Sequence, residues 1–281
     1  GEVIVGGVNV LKMSPSDLRE FRRHSISMVF QKFALLPNRT VLDNAVYGLE
    51  IQGLPRGRQV EIARGWLDRV GLNGYEGRYP NQLSGGMQQR VGLARALASD
   101  APILLMDEAF SALDPLIRMD MQSVLLDLQK EIRKTIVFIT HDLDEALRIG
   151  DRIAILRDGE VVQQGTRQEI VMSPADDYIA NFVKEVNRGR VISVEAIMRP
   201  FVRVKAGTML AVPMGTSLES AVKRLVEAGL DELVVTDSQG RPVGQLALKS
   251  IIATMVTSTV SEESQVVQLR TAAKATRLAE E

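Results

Sequence analysis

Ala101-Pro102-Ile103-Leu104-Leu105-Met106-Asp107-Glu108 is the stretch on which the fold turns. The run up to Met106 is short and dominated by Ile and Leu, which suits a strand buried on both faces of a parallel sheet. Such strands aim their carboxyl ends at the ligand crevice of an open α/β sheet, so Asp107 and Glu108 emerge at that crevice. Two adjacent carboxylates in that position suit a division of labour, one binding a divalent cation through water and the next polarising an attacking water. They can also do no more than open a loop. Working outward, Ile26 to Phe30 and Thr135 to Thr140 read as further strands, the second β-branched and buried. From Ala101 to Ile155 strands alternate with helices, the pattern of a parallel α/β sheet.

Upstream lies Leu83-Ser84-Gly85-Gly86-Met87-Gln88-Gln89-Arg90, followed by good helix formers to Ala98. Ser84 is therefore a believable N-cap. A helix start carries unpaired amides and a partial positive charge, and two glycines let an anion approach the backbone closely. On spacing alone, an anion site and an ordinary capped helix remain equally open. Within Ser111-Ala112-Leu113-Asp114, Asp114 can cap the helix that runs from Pro115. The chain has two histidines. His24, in Arg22-Arg23-His24, reads as a solvated surface residue, whereas His141 follows a strand and opens a helix beginning Asp-Leu-Asp-Glu.

These strings, in this order, resemble the nucleotide-binding subunit of an ABC transporter. The resemblance implies a P-loop-NTPase-like parallel sheet with a helical subdomain, binding ATP and Mg²⁺. By resemblance Asp107 is the metal-side aspartate and Glu108 the general base. Ser84, Gly85 and Gly86, with Gln88 beside them, match the signature that grips the γ-phosphate of ATP held by the opposite subunit. His141 matches the switch histidine that contacts the γ-phosphate and orients water with Glu108. Gln31 matches the Q-loop glutamine, which touches the nucleotide and metal and reports their state to the membrane partner; Asp114 matches the loop crossing the dimer interface. The implied partners are a second copy of the chain, an integral membrane permease and, through it, a periplasmic or lipid-anchored substrate-binding protein.

A nucleotide-binding domain of this kind needs a P-loop of the form G-x-x-x-x-G-K-[ST], whose amides and lysine cradle the β- and γ-phosphates. The sequence contains no such string. It opens at Gly1-Glu2-Val3-Ile4-Val5-Gly6-Gly7, which resembles the family segment just after the P-loop helix. The expectation is an N-terminally truncated domain, and no ATP hydrolysis from this polypeptide by itself.

At 281 residues and 30.9 kDa two domains are expected. A hydrophobic share of 45% supports real cores, and a net charge of -1 gives no reason to propose nucleic acid as a partner. There are no cysteines, so disulfides and thiolate metal sites are excluded. No apolar run is long enough to span a bilayer, so any membrane association is expected through a partner; the resemblance implies that it is peripheral, on the cytoplasmic face of the bacterial inner membrane. Val3 to Val10 reads as a turn of sheet, and Ser14-Pro15-Ser16-Asp17 starts a helix. Thr40 to Leu49 and Arg58 to Val70 read as helices of the helical subdomain. Asp158 to Gly165 looks like a hairpin and Asp176 to Asn187 like a last helix. The expected organisation is an ABC ATPase domain over 1–187, a linker over 188–192, a second small domain over 193–258 and a flexible tail over 259–281.

The second domain should hold a short helix at Ser193 to Met198, strands at Thr208 to Val212, Glu232 to Thr236 and Val243 to Ala247, and helices at Leu218 to Ala228 and Leu248 to Val256. This order, with Gly244 in the final strand, resembles one cystathionine-β-synthase (CBS) regulatory module. Such modules usually pair, and here one copy is recognisable. Ala247 and Ser250 stand where nucleotide-binding copies carry a ribose-binding Thr or Ser and an Asp, so pairing with the same module of a second subunit is expected rather than AMP binding. An ABC core followed by CBS sequence is similar to the ATPase subunits of importers for glycine betaine, proline betaine or choline. In those relatives the module is associated with gating by ionic strength or by a nucleotide, and surface charges sense salt through screening over about 10 Å at 0.1 M. The alternatives are a soluble ABC ATPase of another process and a non-enzymatic dimerisation or sensor module.

Overall fold

The strand that opens the sequence argument lies in the middle of its sheet. The structure, a computed structural model, describes residues 1–132, 134–202 and 209–256. The chain divides into two units, Gly1–Asp151 and Arg152–Glu281. The first runs β1 (Ile4–Val5), β2 (Val8–Asn9), α1 (Pro15–Ser25), β3 (Ile26–Val29), α2 (Val41–Ile51), α3 (Arg56–Arg69), α4 (Gly85–Ala98), β4 (Ile103–Asp107), α5 (Pro115–Glu131), β5 (Thr135–Ile139) and α6 (Leu143–Ile149). β1 and β2 form a small antiparallel pair. The order of the main sheet is β3-β4-β5, all parallel, with Val29 beside Met106 and Met106 beside Phe138.

β4 buries Leu104 and Met106 completely. The strand at 135–139 was expected to be buried as well. Its burial alternates: Thr135, Val137 (47% exposed) and Ile139 (57% exposed) share one face that is only partly covered among the described residues, while Ile136 and Phe138 on the other face pack against the core.

Helix starts follow local rules. Ser14, Thr40, Ser84 and Asp114 each accept a hydrogen bond from a backbone N–H two or three residues on, which satisfies donors the helix itself leaves orphaned. α2, α3 and α4 bury Val46, Ala63, Leu67, Val91, Leu93 and Leu97 in one core with Phe110 and Leu125. Asn44, fully buried, donates to the carbonyls of Leu36, Arg39 and Thr40 and accepts from Leu36 N–H, thereby closing the loop after β3 onto α2. No described helix is long and apolar enough to cross a membrane.

The second unit opens with an antiparallel hairpin, β6 (Ile153–Arg157) and β7 (Glu160–Gly165). Asp158 and Gly159 both take positive φ, 54° and 82°, the backbone that a two-residue hairpin turn demands and Asp-Gly supplies. α7 (Arg167–Met172), α8 (Asp177–Phe182) and α9 (Arg188–Val191) follow. α8 ends well before the expected Asn187. The stretch expected as a linker over 188–192 contains α9, whose Gly189 is buried and sits so close to Met255 that an added Cβ would lie 2.6 Å from Cε.

Then come β8 (Arg199–Pro200), β9 (Leu210–Pro213), α10 (Leu218–Ala228), β10 (Glu232–Thr236), β11 (Pro242–Ala247) and α11 (Leu248–Val256), in a sheet of order β8-β11-β10-β9. α10, β10 and α11 fall where the sequence placed them, and the short helix expected from Ser193 is a single 3-10 turn at Val194–Ala196. Leu218, Ala221, Leu225, Leu233, Val235 and Ile251 form the buried interior of this part. Gly244 faces Met198, leaving no room for a Cβ. The expected tail, residues 257–258 and the first residue of the Thr208–Val212 strand lie outside the described residues.

Candidate functional site

Three residues meet at the carboxyl ends of three neighbouring parallel strands. Glu108 follows the central strand β4; Gln31 lies two residues beyond β3 and His141 two beyond β5, one on each side. Gln31 Nε2 donates to Glu108 Oε2 at 2.7 Å, and His141 Nδ1 lies 3.3 Å from Glu108 Oε1. Each carboxylate oxygen thus has its own partner. The Gln31 amide must present its NH₂ to the carboxylate, since its oxygen would repel it, and this leaves the amide oxygen available to other ligands. The Glu108 side chain is 31% exposed and that of His141 69%, so both are open to a ligand.

The Glu108 backbone is held in an uncommon shape. Its φ is 43°, in the left-handed region that costs a non-glycine residue energy and that clusters at functional sites. Three bonds hold it there: Glu108 N–H donates to the Ile139 carbonyl at 2.9 Å, and the Glu108 carbonyl accepts from the Ser111 hydroxyl at 2.9 Å and from Ser111 N–H at 3.1 Å. Ser111 Oγ also accepts from Gln31 Nε2 at 3.2 Å. Ser111 opens the Ser111–Asp114 string, but sequence reading assigned it no role of its own; its hydroxyl stands three residues after the carboxylate, at turn spacing.

Asp107 ends β4 with an exposed side chain that makes no hydrogen bond or ion pair among the described residues. The described residues hold no group of three or more His, Cys, Asp or Glu able to bind a metal unaided. Mg²⁺ normally takes one or two carboxylates and completes its shell with phosphate oxygens and water. The all-oxygen donors Asp107 and the Gln31 amide fit such an ion arriving with a triphosphate.

Ser84 Oγ accepts from Met87 N–H at 3.3 Å, and Gln88 Nε2 donates to the Leu83 carbonyl at 3.2 Å. Gly85 is exposed, and Gly86 is buried against the first turn of α5, where an added Cβ would lie 2.5 Å from Ile117 Cγ2. Asp114 Oδ1 accepts from Leu116 and Ile117 N–H at 3.2 and 3.1 Å, so its side chain works as a helix cap in the single chain. Within one chain the structure therefore gathers Gln31, Glu108 and His141 into one cluster, and Gly86 with the Asp114-capped helix into another. Arg118 and Asp142, missed in the sequence, lie beside the first cluster: Arg118 Nη1 donates to Asp142 Oδ2 at 3.4 Å.

A family model described as ABC transporter matches residues 1–111. The glycine betaine transport ATP-binding protein of Bacillus subtilis is 48% identical over 275 residues, covering 96% of this chain and 65% of that protein. The trimethylamine N-oxide transport system ATP-binding protein of Ruegeria pomeroyi is 45% identical over 246 residues, covering 88% of this chain and 71% of that protein. The chain spans less than two thirds of the length of the glycine betaine relatives it matches. Among solved structures, a dimeric ATP-binding cassette in a post-hydrolysis state bound to ADP and Pi is similar, with a TM-score of 0.54 and 36% identity over 59% of this chain and 73% of that one.

Proposed function

Since the chain belongs to the ATP-binding subunits of ABC transporters, we propose that it serves as the ATP-hydrolysing subunit of an importer for an osmoprotectant such as glycine betaine, proline betaine or choline. The observation that carries the catalytic part is the Gln31–Glu108–His141 cluster at the carboxyl ends of the sheet. Glu108 accepts the proton of the attacking water, His141 holds that carboxylate and the γ-phosphate in line, and Gln31 senses both. Mg²⁺ held by Asp107 and the Gln31 amide oxygen would neutralise phosphate charge. Ser84, Gly85, Gly86 and Gln88 serve the nucleotide of a second copy, the pairing that a shared site requires. The relative solved as a dimer supports this reading.

The membrane partner is an integral permease, reached on the cytoplasmic face, with a periplasmic or lipid-anchored binding protein beyond it. A groove of about 480 Å³ supports such a contact: it is lined by Phe30 and Ala34, which flank Gln31, by Tyr47 and Ile51 of α2, and by Arg19 and Arg22 of α1. Phe30 and Ile51 are exposed there. The part from 193 to 258 is read as one CBS-like regulatory module pairing with its copy, after an ATPase domain over 1–187.

Reconstituting the protein, with a P-loop segment ahead of Gly1, together with its permease and binding protein tests the assignment. ATP hydrolysis stimulated by glycine betaine supports it, and hydrolysis indifferent to every quaternary amine refutes the substrate class. Salt activation is measured in the same vesicles with the intact protein and with residues 193–281 deleted, α9 being kept. Identical activation curves would remove the regulatory role.

A further inference from the structure

A polar ladder joins α5 to α6. Gln122 Nε2 donates to Glu145 Oε1 at 3.0 Å, Arg148 Nη1 to Gln122 Oε1 at 2.8 Å, and Arg148 Nη2 to Ser123 Oγ at 3.0 Å. Its first rung is Arg118 to Asp142, one turn earlier on α5. α6 has seven residues, and Leu147 and Ile149 are its buried apolar ones. So short a helix has little stability of its own, and partners outside it set its place. His141 stands immediately before Asp142, the cap of this helix, whose Oδ1 accepts from Glu145 N–H at 3.1 Å.

Arg118 also faces the other way. Its Nη2 donates to the carbonyls of Ser111 at 3.4 Å and Leu113 at 3.3 Å. One guanidinium therefore holds two loops: the one that carries Ser111, bonded to Gln31 and Glu108, and the one that carries His141. A planar fork of donors can serve three acceptors in two directions, which an ammonium cannot reproduce. All three bonds are long, as hydrogen bonds around a reaction centre often are before the reacting complex forms.

We propose that Arg118 is a positioning residue that couples the Ser111–Asp114 loop to His141, so that a displacement of that loop is passed to the imidazole beside Glu108. This rests on the ATPase reading above. The test compares Arg118→Met and Arg118→Lys with wild type, each carrying a P-loop segment ahead of Gly1, in the reconstituted transporter, following kcat and KM for ATP together with hydrogen exchange across 139–147. In Arg118→Met, kcat falls roughly 10- to 100-fold with KM unchanged, the scale expected when a reacting group is misplaced by about 1 Å. Amides of 142–147 exchange faster while those of α4 do not, and Arg118→Lys falls between.

Wild-type kcat in Arg118→Met overturns the proposal, and so does a parallel loss of kcat, KM and melting temperature in both variants. If the wild-type protein, supplied with a P-loop segment ahead of Gly1, hydrolyses no ATP, the ATPase reading fails instead. The exchange rates then still decide the coupling, and unchanged exchange at 142–147 refutes it.

Discussion

Gln31 and Glu108 lie 77 residues apart in sequence, yet Gln31 Nε2 donates to Glu108 Oε2 at 2.7 Å across the ends of two neighbouring parallel strands. The other oxygen of the same carboxylate faces His141. Both oxygens of that carboxylate thus have a partner within 3.3 Å, and the two partners fix the position of the side chain.

Glu108→Gln keeps the shape and removes the base. In the assembled transporter, with a P-loop segment present ahead of Gly1, it retains ATP binding and loses roughly 10²- to 10⁴-fold in hydrolysis, the usual worth of general-base assistance. Turnover at the wild-type rate would take Glu108 out of that role.

Ser111→Ala deletes the hydroxyl that links Gln31 to the Glu108 carbonyl. A net stability loss of about 0.5–1.5 kcal/mol follows from one hydrogen-bonding group removed. Urea unfolding measures it, and an unchanged midpoint would show that the left-handed Glu108 backbone needs no such support.

Gly86→Ala sets two effects against each other. Alanine is favoured over glycine in a helix by about 1 kcal/mol, whereas overpacking costs about 1–3 kcal/mol. With Ile117 Cγ2 only 2.5 Å from the new Cβ, the clash wins and the variant is less stable. Adding Ile117→Ala recovers part of the loss relative to Ile117→Ala alone. Thermal melts of the four proteins test this, and a stabilised single variant would contradict the packing.

Asp43 carries a pH dependence. The hydrogen bond from Arg56, 2.6 Å from Oδ1, and a second from Thr40 hold its carboxyl below the ordinary aspartate value. A depressed carboxyl contributes stability that is present above the unfolded value and is lost as pH falls through the folded one. Asp43→Asn therefore lowers stability at neutral pH and flattens its acid dependence below pH of about 4. Parallel acid unfolding curves for the two proteins would exclude this contribution.

Legibility varied with the range of the interactions involved. The helix starts at Ser14, Thr40, Ser84 and Asp114 could be read because each is a cap made within three residues. The Asp158-Gly159 hairpin was readable for the same reason, its positive φ values being written into the residue types. α9 was read as linker because four residues carry no period of their own; it is helical because Gly189 and its neighbours pack on α11. The half-exposure of β5 was not legible either, since the residue types of Thr135–Ile139 do not say whether one face of the strand or both will be covered.

By itself, then, the sequence determined which segments become strands and helices and which side chains stand at their ends, because capping, turn backbone and apolar runs act over a few residues. Only the tertiary structure decided that β4 lies between β3 and β5, and so that Glu108 receives Gln31 on one oxygen and His141 on the other. The same holds for Ser111 and Arg118, whose hydrogen bonds join separate loops, and for Gly86, whose missing side chain is explained by Ile117. Strand order and helix contact arise from pairings far apart along the chain, and such pairings leave no mark in local composition.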